Sequence, residues 1–314
     1  AINAITLATI GVGKGIGKVA ESMTQAKLSA KFGETVINNI KNIGGFSVTE
    51  INSKIKQLNK LGMTQTTIDT LLKNPKFMFL SDDVLKFLSK QGENQRLLAE
   101  LVINNGDEFS KALLKTTVLD DFCNLVWKYG DNATKLLIAG DNVVIRFNEI
   151  ISKSNNPKGW IDLIKNNNDD VLKIQSVDIF AINTKNPNKF GQNLAELDEV
   201  DFINNIIYED KSAGGLYIPN PNVPKTEADW AADKVLKSAR DKIQAVSNND
   251  FSIRINKNGT ITQYSFMKDE LKSIREYIYR IDADTPALRT AVENCLVQLR
   301  QEFPSYSFSA VYGG

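Results

Sequence analysis

The chain of 314 residues contains no histidine and two cysteines. The absence of histidine excludes imidazole as a general acid or base, as part of a Ser-His-Asp or Cys-His site, and as a zinc ligand. Cys123 and Cys295 lie far apart in apolar, helix-like surroundings, which fits neither a metal-binding spacing nor a disulfide framework. We therefore predict that both cysteines are buried free thiols.

Net charge and long apolar runs are also scarce. Lys+Arg 38 against Asp+Glu 37 give a formal net charge of +1, so any nucleic-acid-binding surface must be local rather than global. No run is long and apolar enough to span a bilayer. A hydrophobic content of 42% with 24% charged residues is typical of globular domains, and the length predicts two of them.

Hydrophobic periodicity divides the chain into a helical part and a mixed part. Short amphipathic helices are predicted over residues 48–151, and the polar segment 152–159 marks a boundary. We therefore predict a mainly helical, all-α domain over residues 1–155. Residues 156–314 are predicted to form an α/β core, with a mixed sheet flanked by helices. A helix is expected over residues 160–174.

One short stretch of the mixed part carries the most definite chemistry. An apolar-rich run contains Asp201, turns at Asn204-Asn205, and continues through three apolar residues into Glu209-Asp210-Lys211. Asparagine tolerates the positive φ angles of a tight hairpin. A two-residue turn would place Asp201 across from Tyr208 and therefore close to Glu209. Glu209 and Lys211 are two residues apart and share a face of the strand, whereas Asp210 points away.

Two carboxylates and a lysine at neighbouring strand ends predict a metal site beside a phosphodiester. Asp201 and Glu209 are the predicted ligands, and their hard oxygens suit Mg²⁺ or Mn²⁺. Lys211 would orient a water or neutralise developing negative charge. A solvated edge strand with alternating Glu and Lys is the alternative interpretation of the same pattern.

These residues resemble the PD-(D/E)xK nuclease superfamily, which has the restriction-endonuclease fold. Asp201 matches the first acid, and Glu209 and Lys211 match the Glu-x-Lys of the next strand. The proline of the family pattern is absent, because Val200 precedes the first acid. The resemblance covers roughly residues 175–314.

Many members of that superfamily carry a further acid on the preceding helix. Glu196 and Glu199 are both candidates for this position. The resemblance implies a restriction-endonuclease-like core and a Mg²⁺- or Mn²⁺-dependent endonuclease that hydrolyses phosphodiester bonds. DNA is the expected substrate. An RNase acting on transfer RNA, and a non-catalytic protein-interaction module, are the alternatives.

Gly-Asp pairs recur in the helical part, at Gly106-Asp107, Gly130-Asp131 and Gly140-Asp141. This repeat resembles the segment ahead of the toxin domain in bacterial polymorphic toxins, including contact-dependent inhibition and Rhs-type proteins. The resemblance implies a secreted or cell-surface-delivered toxin that acts in the target-cell cytoplasm and is neutralised by a cognate immunity protein. A plain helical domain whose turns use Gly-Asp is the alternative.

Residues 1–18 contain alternating glycines, which match neither common phosphate-loop pattern. The segment lacks a basic region before its apolar run, and we do not assign it as a signal peptide. A flexible, weakly amphipathic arm is expected. The more specific alternative is that this segment contacts a membrane transiently during delivery. The first residue, Ala1, suits a fragment released from a larger carrier.

The chain beyond the hairpin is predicted to alternate helices and strands. Thr226 starts a helix with a capping box, and its basic residues lie mainly outside the apolar stripe, either as nucleic-acid contacts or as a solvated face. These basic residues are Lys234, Lys237, Arg240 and Lys242. A hairpin around Asn258-Gly259 is expected. The last predicted elements are helices over 268–281 and 286–303 and a strand over 306–312.

Overall fold

The structure, a computed structural model, describes residues 21–166, 172–182, 191–217, 226–248, 250–257 and 260–313. The chain separates into two compact units, residues 1–141 and 142–314, so the division falls ahead of the boundary predicted at residue 155. The predicted arm over 1–18, most of the polar stretch before β2 and the Asn258-Gly259 turn lie outside the described residues.

The described part of the first unit consists of α-helices and short 3₁₀ turns. Helical residues 21–32 come first. They are followed by α1 (Glu34–Gly44), α2 (Val48–Lys60), α3 (Gln65–Leu72), α4 (Asp82–Ser89), α5 (Gln95–Lys115), α6 (Leu119–Tyr129) and α7 (Thr134–Ala139). Side-chain oxygens cap several of these helices, as at Ser47, which forms a reciprocal capping box with Glu50. Each helix places an apolar face in the core of the unit, which contains Phe109 and Phe122.

The three Gly-Asp pairs form the same backbone joint. Gly106 has φ 76° and ψ −154°, Gly130 has φ 80° and ψ −170°, and Gly140 has φ 126° and ψ 164°. This extended, positive-φ region is essentially restricted to glycine. Gly106 kinks α5, which resumes at Asp107, whereas at Gly130 and Gly140 one helix ends and the next helical turn begins at the aspartate. The repeat seen in the sequence is therefore a repeated structural joint between short helices.

The second unit contains a seven-stranded mixed sheet among its described residues. The strands are β1 (Lys173–Ala181), β2 (Asn193–Asp201), β3 (Ile206–Lys211), β4 (Phe251–Lys257), β5 (Thr260–Gln263), β6 (Glu276–Ile281) and β7 (Ser307–Tyr312). Their spatial order is β5-β4-β1-β2-β3-β6-β7. Neighbours are antiparallel from β5 to β3, whereas β3, β6 and β7 run parallel. The prediction of a mixed sheet in an α/β core is confirmed.

The second unit also contains helices. They are α8 (Asp141–Lys153), α9 (Pro157–Asn166), α10 (Glu227–Ala231), α11 (Ser238–Asn248), α12 (Lys268–Ser273) and α13 (Pro286–Glu302). A π-helical turn over Ala232–Lys237 joins α10 to α11. The capping box predicted at Thr226 is present, with Asp229 as its reciprocal partner.

Two predicted helices extend too far. The helix predicted over 160–174 is wrong at its end, because Lys173 and Ile174 already belong to β1. The helix predicted over 268–281 is also wrong beyond Ser273, because Glu276–Ile281 is β6. Alternate residues of β6 are buried, so its Glu-Tyr-Ile-Tyr-Arg-Ile sequence follows the two-residue period of a strand. This strand lies directly beside β3.

Candidate functional site

The register of the β2–β3 hairpin decides which acids meet. Asp201 pairs with Ile206, and Glu199 pairs with Tyr208. The turn therefore contains residues 202–205, and the predicted two-residue turn, with Asp201 opposite Tyr208, is wrong. Side chains alternate between the two faces of a strand. Glu209 consequently lies on the opposite face of the sheet from Asp201, and these two carboxylates do not form one site.

Asp201 instead stabilises the turn. Its Oδ1 accepts hydrogen bonds from the backbone N–H groups of Ile203 (3.0 Å) and Asn204 (2.9 Å), and its Oδ2 accepts one from the Asn204 side chain (2.8 Å). Asn205 has the positive φ angle predicted for this turn, 58°. An aspartate that bonds the backbone two and three residues ahead favours a longer turn than an Asn-Asn dipeptide alone.

Glu199 and Glu196 also lie on β2 rather than on a helix. Glu199 is 5% exposed, and it shares a face with Asp201. Its carboxylate is compensated by Arg280 (3.4 Å) and Lys173 (3.9 Å). Glu196 is exposed and pairs with Asp178 of β1. Glu199 therefore belongs to an ion-pair network on the other face of the sheet.

On the face of Glu209, four charged side chains form one carboxylate–lysine cluster: Asp198, Glu209, Lys211 and Lys242. The Nζ of Lys211 is 2.7 Å from Glu209 Oε2 and 3.1 Å from Asp198 Oδ2. The Nζ of Lys242 also contacts Glu209 Oε2. Asp198 Oδ2 accepts a further hydrogen bond from the backbone N–H of Asp210 (2.8 Å). The predicted proximity of Glu209 and Lys211 is thus confirmed, and the carboxylate of β2 that lies beside them is Asp198 rather than Asp201.

Lys242 reaches the cluster from α11, which packs against β2. The sequence interpretation placed it mainly outside the buried stripe of this helix. However, Lys242 lies three residues after Ala239 and four before Val246, which are both buried. This spacing puts the three residues on one helix face. Its side chain is 12% exposed. The helical spacing of Lys242 from these buried residues therefore indicates that its side chain points inward.

Burial and charge act against each other in the cluster. Burial raises the pKa of Glu209 despite the opposing charges of Lys242 and Lys211. Burial likewise lowers the pKa of Lys242, although Glu209 pulls it upward. For Lys211 burial is outweighed by the two carboxylates, and its pKa is raised. Lys211 therefore remains an ammonium ion in this setting. The lysines in turn hold the pKa of Asp198 below its ordinary value, against the effect of burial.

Two buried oxygen atoms at the cluster lack a hydrogen-bond partner among the described residues. They are Oε1 of Glu209 and the hydroxyl of Tyr279, and these two residues pair across the parallel strands β3 and β6. A buried polar atom without a partner costs about 1–3 kcal/mol. Glu209 Oε1 is therefore an acceptor that a bound cation or water would stabilise.

The loop after Lys211 is held in place by its own contacts. Asp282 accepts hydrogen bonds from the Ser212 hydroxyl (2.6 Å) and the Ala213 N–H (2.6 Å). The indole N–H of Trp230 donates to the Ser212 carbonyl oxygen at 3.2 Å. Because these bonds fix the residue that follows Lys211, they restrict where its ammonium group can lie.

Three of the four basic residues predicted to contact nucleic acid, Lys234, Lys237 and Arg240, lie outside the cluster, whereas Lys242 belongs to it. Arg240 forms a bidentate ion pair with Glu302. Lys234 forms an ion pair with Asp233 at 3.4 Å. Lys237 is exposed. The charges of Arg240 and Lys234 are thus compensated within the protein, and contact of these residues with nucleic acid stays a prediction.

Comparison with protein-family models, with curated proteins and with solved structures finds no match for this chain. None of the described helices has the length and apolar character needed to cross a membrane. The described residues contain no group of three or more Cys, Asp or Glu side chains arranged to hold a metal ion. The cluster itself offers two carboxylates, so any ion there would complete its coordination with water or substrate.

Proposed function

We propose that residues 142–314 form a metal-dependent nuclease that hydrolyses DNA phosphodiester bonds. One observation carries the proposal: Asp198, Glu209 and Lys211 lie together on adjacent strands, on one face of a mixed sheet. This arrangement supports the resemblance to the PD-(D/E)xK superfamily, with Asp198 rather than Asp201 as the first acid. A restriction-endonuclease-like core is part of the proposal.

The donor set fits a small divalent cation. Asp198 and Glu209 supply hard carboxylate oxygens, and the buried Oε1 of Glu209 lacks a partner among the described residues. Mg²⁺ commonly uses one or two carboxylates and completes its shell with water and phosphate oxygens. When bound, such an ion supplies a more acidic water and stabilises charge on the phosphate.

Lys211 has the properties that the reaction needs from a side chain. Its two carboxylate contacts keep it protonated and fix its position. An ammonium held beside the phosphate neutralises the negative charge that develops as water attacks. The burial of Glu209 excludes bulk water from the interior side of the site, which strengthens these charge interactions.

The wider proposal is a polymorphic-toxin region. The described first-unit residues form helices joined by the Gly-Asp repeat, which supports an all-α pre-toxin or delivery domain ahead of the nuclease. The resemblance adds delivery from a cell surface, action in the target-cell cytoplasm and neutralisation by an immunity protein. An RNase with the same site remains the alternative for the substrate.

The test uses the purified chain with supercoiled plasmid DNA and total transfer RNA, in Mg²⁺, Mn²⁺ or EDTA. Asp198→Asn and Glu209→Gln should each reduce metal-dependent cleavage about 100-fold or more, because each removes a carboxylate that would hold the metal ion. Asp201→Asn is the matched control on the same strand, and it should retain cleavage within about threefold once folding is verified by circular dichroism.

The opposite pattern would overturn this assignment: loss in folded Asp201→Asn with retention in Asp198→Asn. Cleavage of transfer RNA alone would identify the alternative substrate. Absence of cleavage, together with absence of a metal-dependent rise in thermal stability, would favour a non-catalytic interaction module. In that case the cluster would be an internal ion-pair network.

A further inference from the structure

Two lysines share one carboxylate oxygen in the cluster. Lys211 and Lys242 both contact Oε2 of Glu209, whose side chain is fully buried. Lys211 also contacts Asp198 at 3.1 Å, so it bridges both carboxylates. Lys242 contacts Glu209 from the helix above. The other oxygen of Glu209 has no hydrogen-bond partner among the described residues.

The charges of the cluster balance without any added ion. Two carboxylates carry two negative charges and two ammonium groups carry two positive charges. A divalent cation beside Glu209 would add two positive charges next to both lysines and would repel them in a poorly hydrated setting. Lys211 keeps the second carboxylate as a partner, so the repulsion is relieved at lower cost by moving Lys242.

We propose that Lys242 is a second substrate-binding cation, which neutralises Glu209 through Oε2 until a metal ion binds and then contacts the phosphate being cleaved. This inference rests on the proposed nuclease function. A lysine has a flexible four-carbon stem and three donors that rotate freely, so its head can exchange one oxygen anion for another. The incoming phosphate supplies that second anion at the partly exposed Asp198 edge of the cluster.

A purely structural lysine would behave differently. If Lys242 served to neutralise Glu209 and nothing more, its removal would lower stability and would also strengthen metal binding, but cleavage at saturating metal would be unchanged. The proposal requires that metal binding and nucleic-acid cleavage change in opposite directions. Removing the lysine should strengthen metal binding to the free protein, because a competing cation is gone, and should weaken the reaction with nucleic acid.

The experiment measures Mn²⁺ affinity by calorimetry without nucleic acid, and cleavage of plasmid DNA at saturating Mn²⁺. Lys242→Met should bind Mn²⁺ about tenfold more tightly than the wild type and should lose about tenfold or more in kcat/KM. Lys242→Arg retains the charge and should leave Mn²⁺ affinity within about threefold. Lys158→Met is the control, an exposed lysine of the same unit.

Unchanged or weaker Mn²⁺ binding in folded Lys242→Met overturns the inference, and so does tighter binding with unchanged cleavage at saturating Mn²⁺. If the wild type still cleaves DNA, the proposed function survives that failure. If neither protein binds Mn²⁺ and neither cleaves nucleic acid, both proposals fall. Should Lys242→Met not fold, Lys242→Gln makes the same comparison with a polar side chain. Glu209→Gln assigns the calorimetric signal to the cluster, because it should abolish the tight Mn²⁺ site in the wild-type background.

Discussion

Replacing Glu209 by glutamine removes one charge from the carboxylate–lysine cluster and nearly preserves the shape of the side chain. Lys211 and Lys242, each 12% exposed, then lose their common partner. Breaking a buried ion pair from one side costs about 3–5 kcal/mol. Lys211 keeps Asp198 at 3.1 Å, and burial already disfavours the charge on Glu209. We therefore expect the free energy of unfolding to fall by about 2–4 kcal/mol.

The three tryptophans allow the assay to report on one unit. Trp127 lies in the first unit, whereas Trp160 and Trp230 lie in the second. A Trp127→Phe background leaves fluorescence from the second unit alone, so urea unfolding of that unit is followed as a separate transition. In this background, adding Lys242→Met to Glu209→Gln should recover about 1–2 kcal/mol, because one unpaired buried ammonium is removed.

The control is Glu196→Gln, an exposed acid on the neighbouring strand β2. It should change the free energy of unfolding by less than about 0.5 kcal/mol. A similarly small effect of Glu209→Gln would refute the reasoning, since the buried contacts would then contribute no net stability. If Glu209→Gln lowers the free energy of unfolding as expected but adding Lys242→Met recovers none of it, the cost does not arise from the unpaired charge of Lys242.

Three further changes probe other parts of the fold. Gly106→Ala should destabilise the first unit by about 1–3 kcal/mol, because its φ of 76° suits glycine although the space beside it is open. The measurement is urea unfolding by Trp127 fluorescence, with Trp160 and Trp230 replaced by phenylalanine. Arg146→Met should cost about 2–4 kcal/mol in the second unit, since it leaves the partly buried Glu270 without its 2.8 Å partner. Asp282→Asn should destabilise at neutral pH. The Ser212 hydroxyl and backbone N–H groups hold the pKa of Asp282 below 3.8, so the difference from wild type should shrink in urea titrations as pH falls through that lowered pKa.

Several features of the fold were predictable because they depend on local chemistry. The capping box at Thr226 satisfies exposed helix amides through residues three apart. The strand ending in Glu209-Asp210-Lys211 is rich in β-branched and aromatic residues, and it forms β3 as predicted. The glycines of the Gly-Asp pairs ended or kinked helices because their φ angles are positive.

Other features depended on tertiary contacts that a local pattern does not contain. The strand Glu276–Ile281 follows directly after a short helix, and its six residues match a helical continuation almost as well as a strand. Its pairing with both β3 and β7 decides the outcome. The direction of Lys242 was missed for another reason, because a charged residue was assigned to the solvent face by type rather than by helical position.

The misplaced first acid, in contrast, was decidable from the sequence. A hairpin turn of two or four residues changes the pairing by two positions, and such a shift leaves every side chain on its original face. Asp201 lies on the face of Tyr208 in the predicted register, and it remains on that face in the observed register, where its partner is Ile206. Glu209, one residue beyond Tyr208, lies on the opposite face in both. Any acid that joins Glu209 from β2 must therefore stand an odd number of residues before Asp201. Asp198 meets this condition, and its 3.1 Å contact with Lys211 is the result.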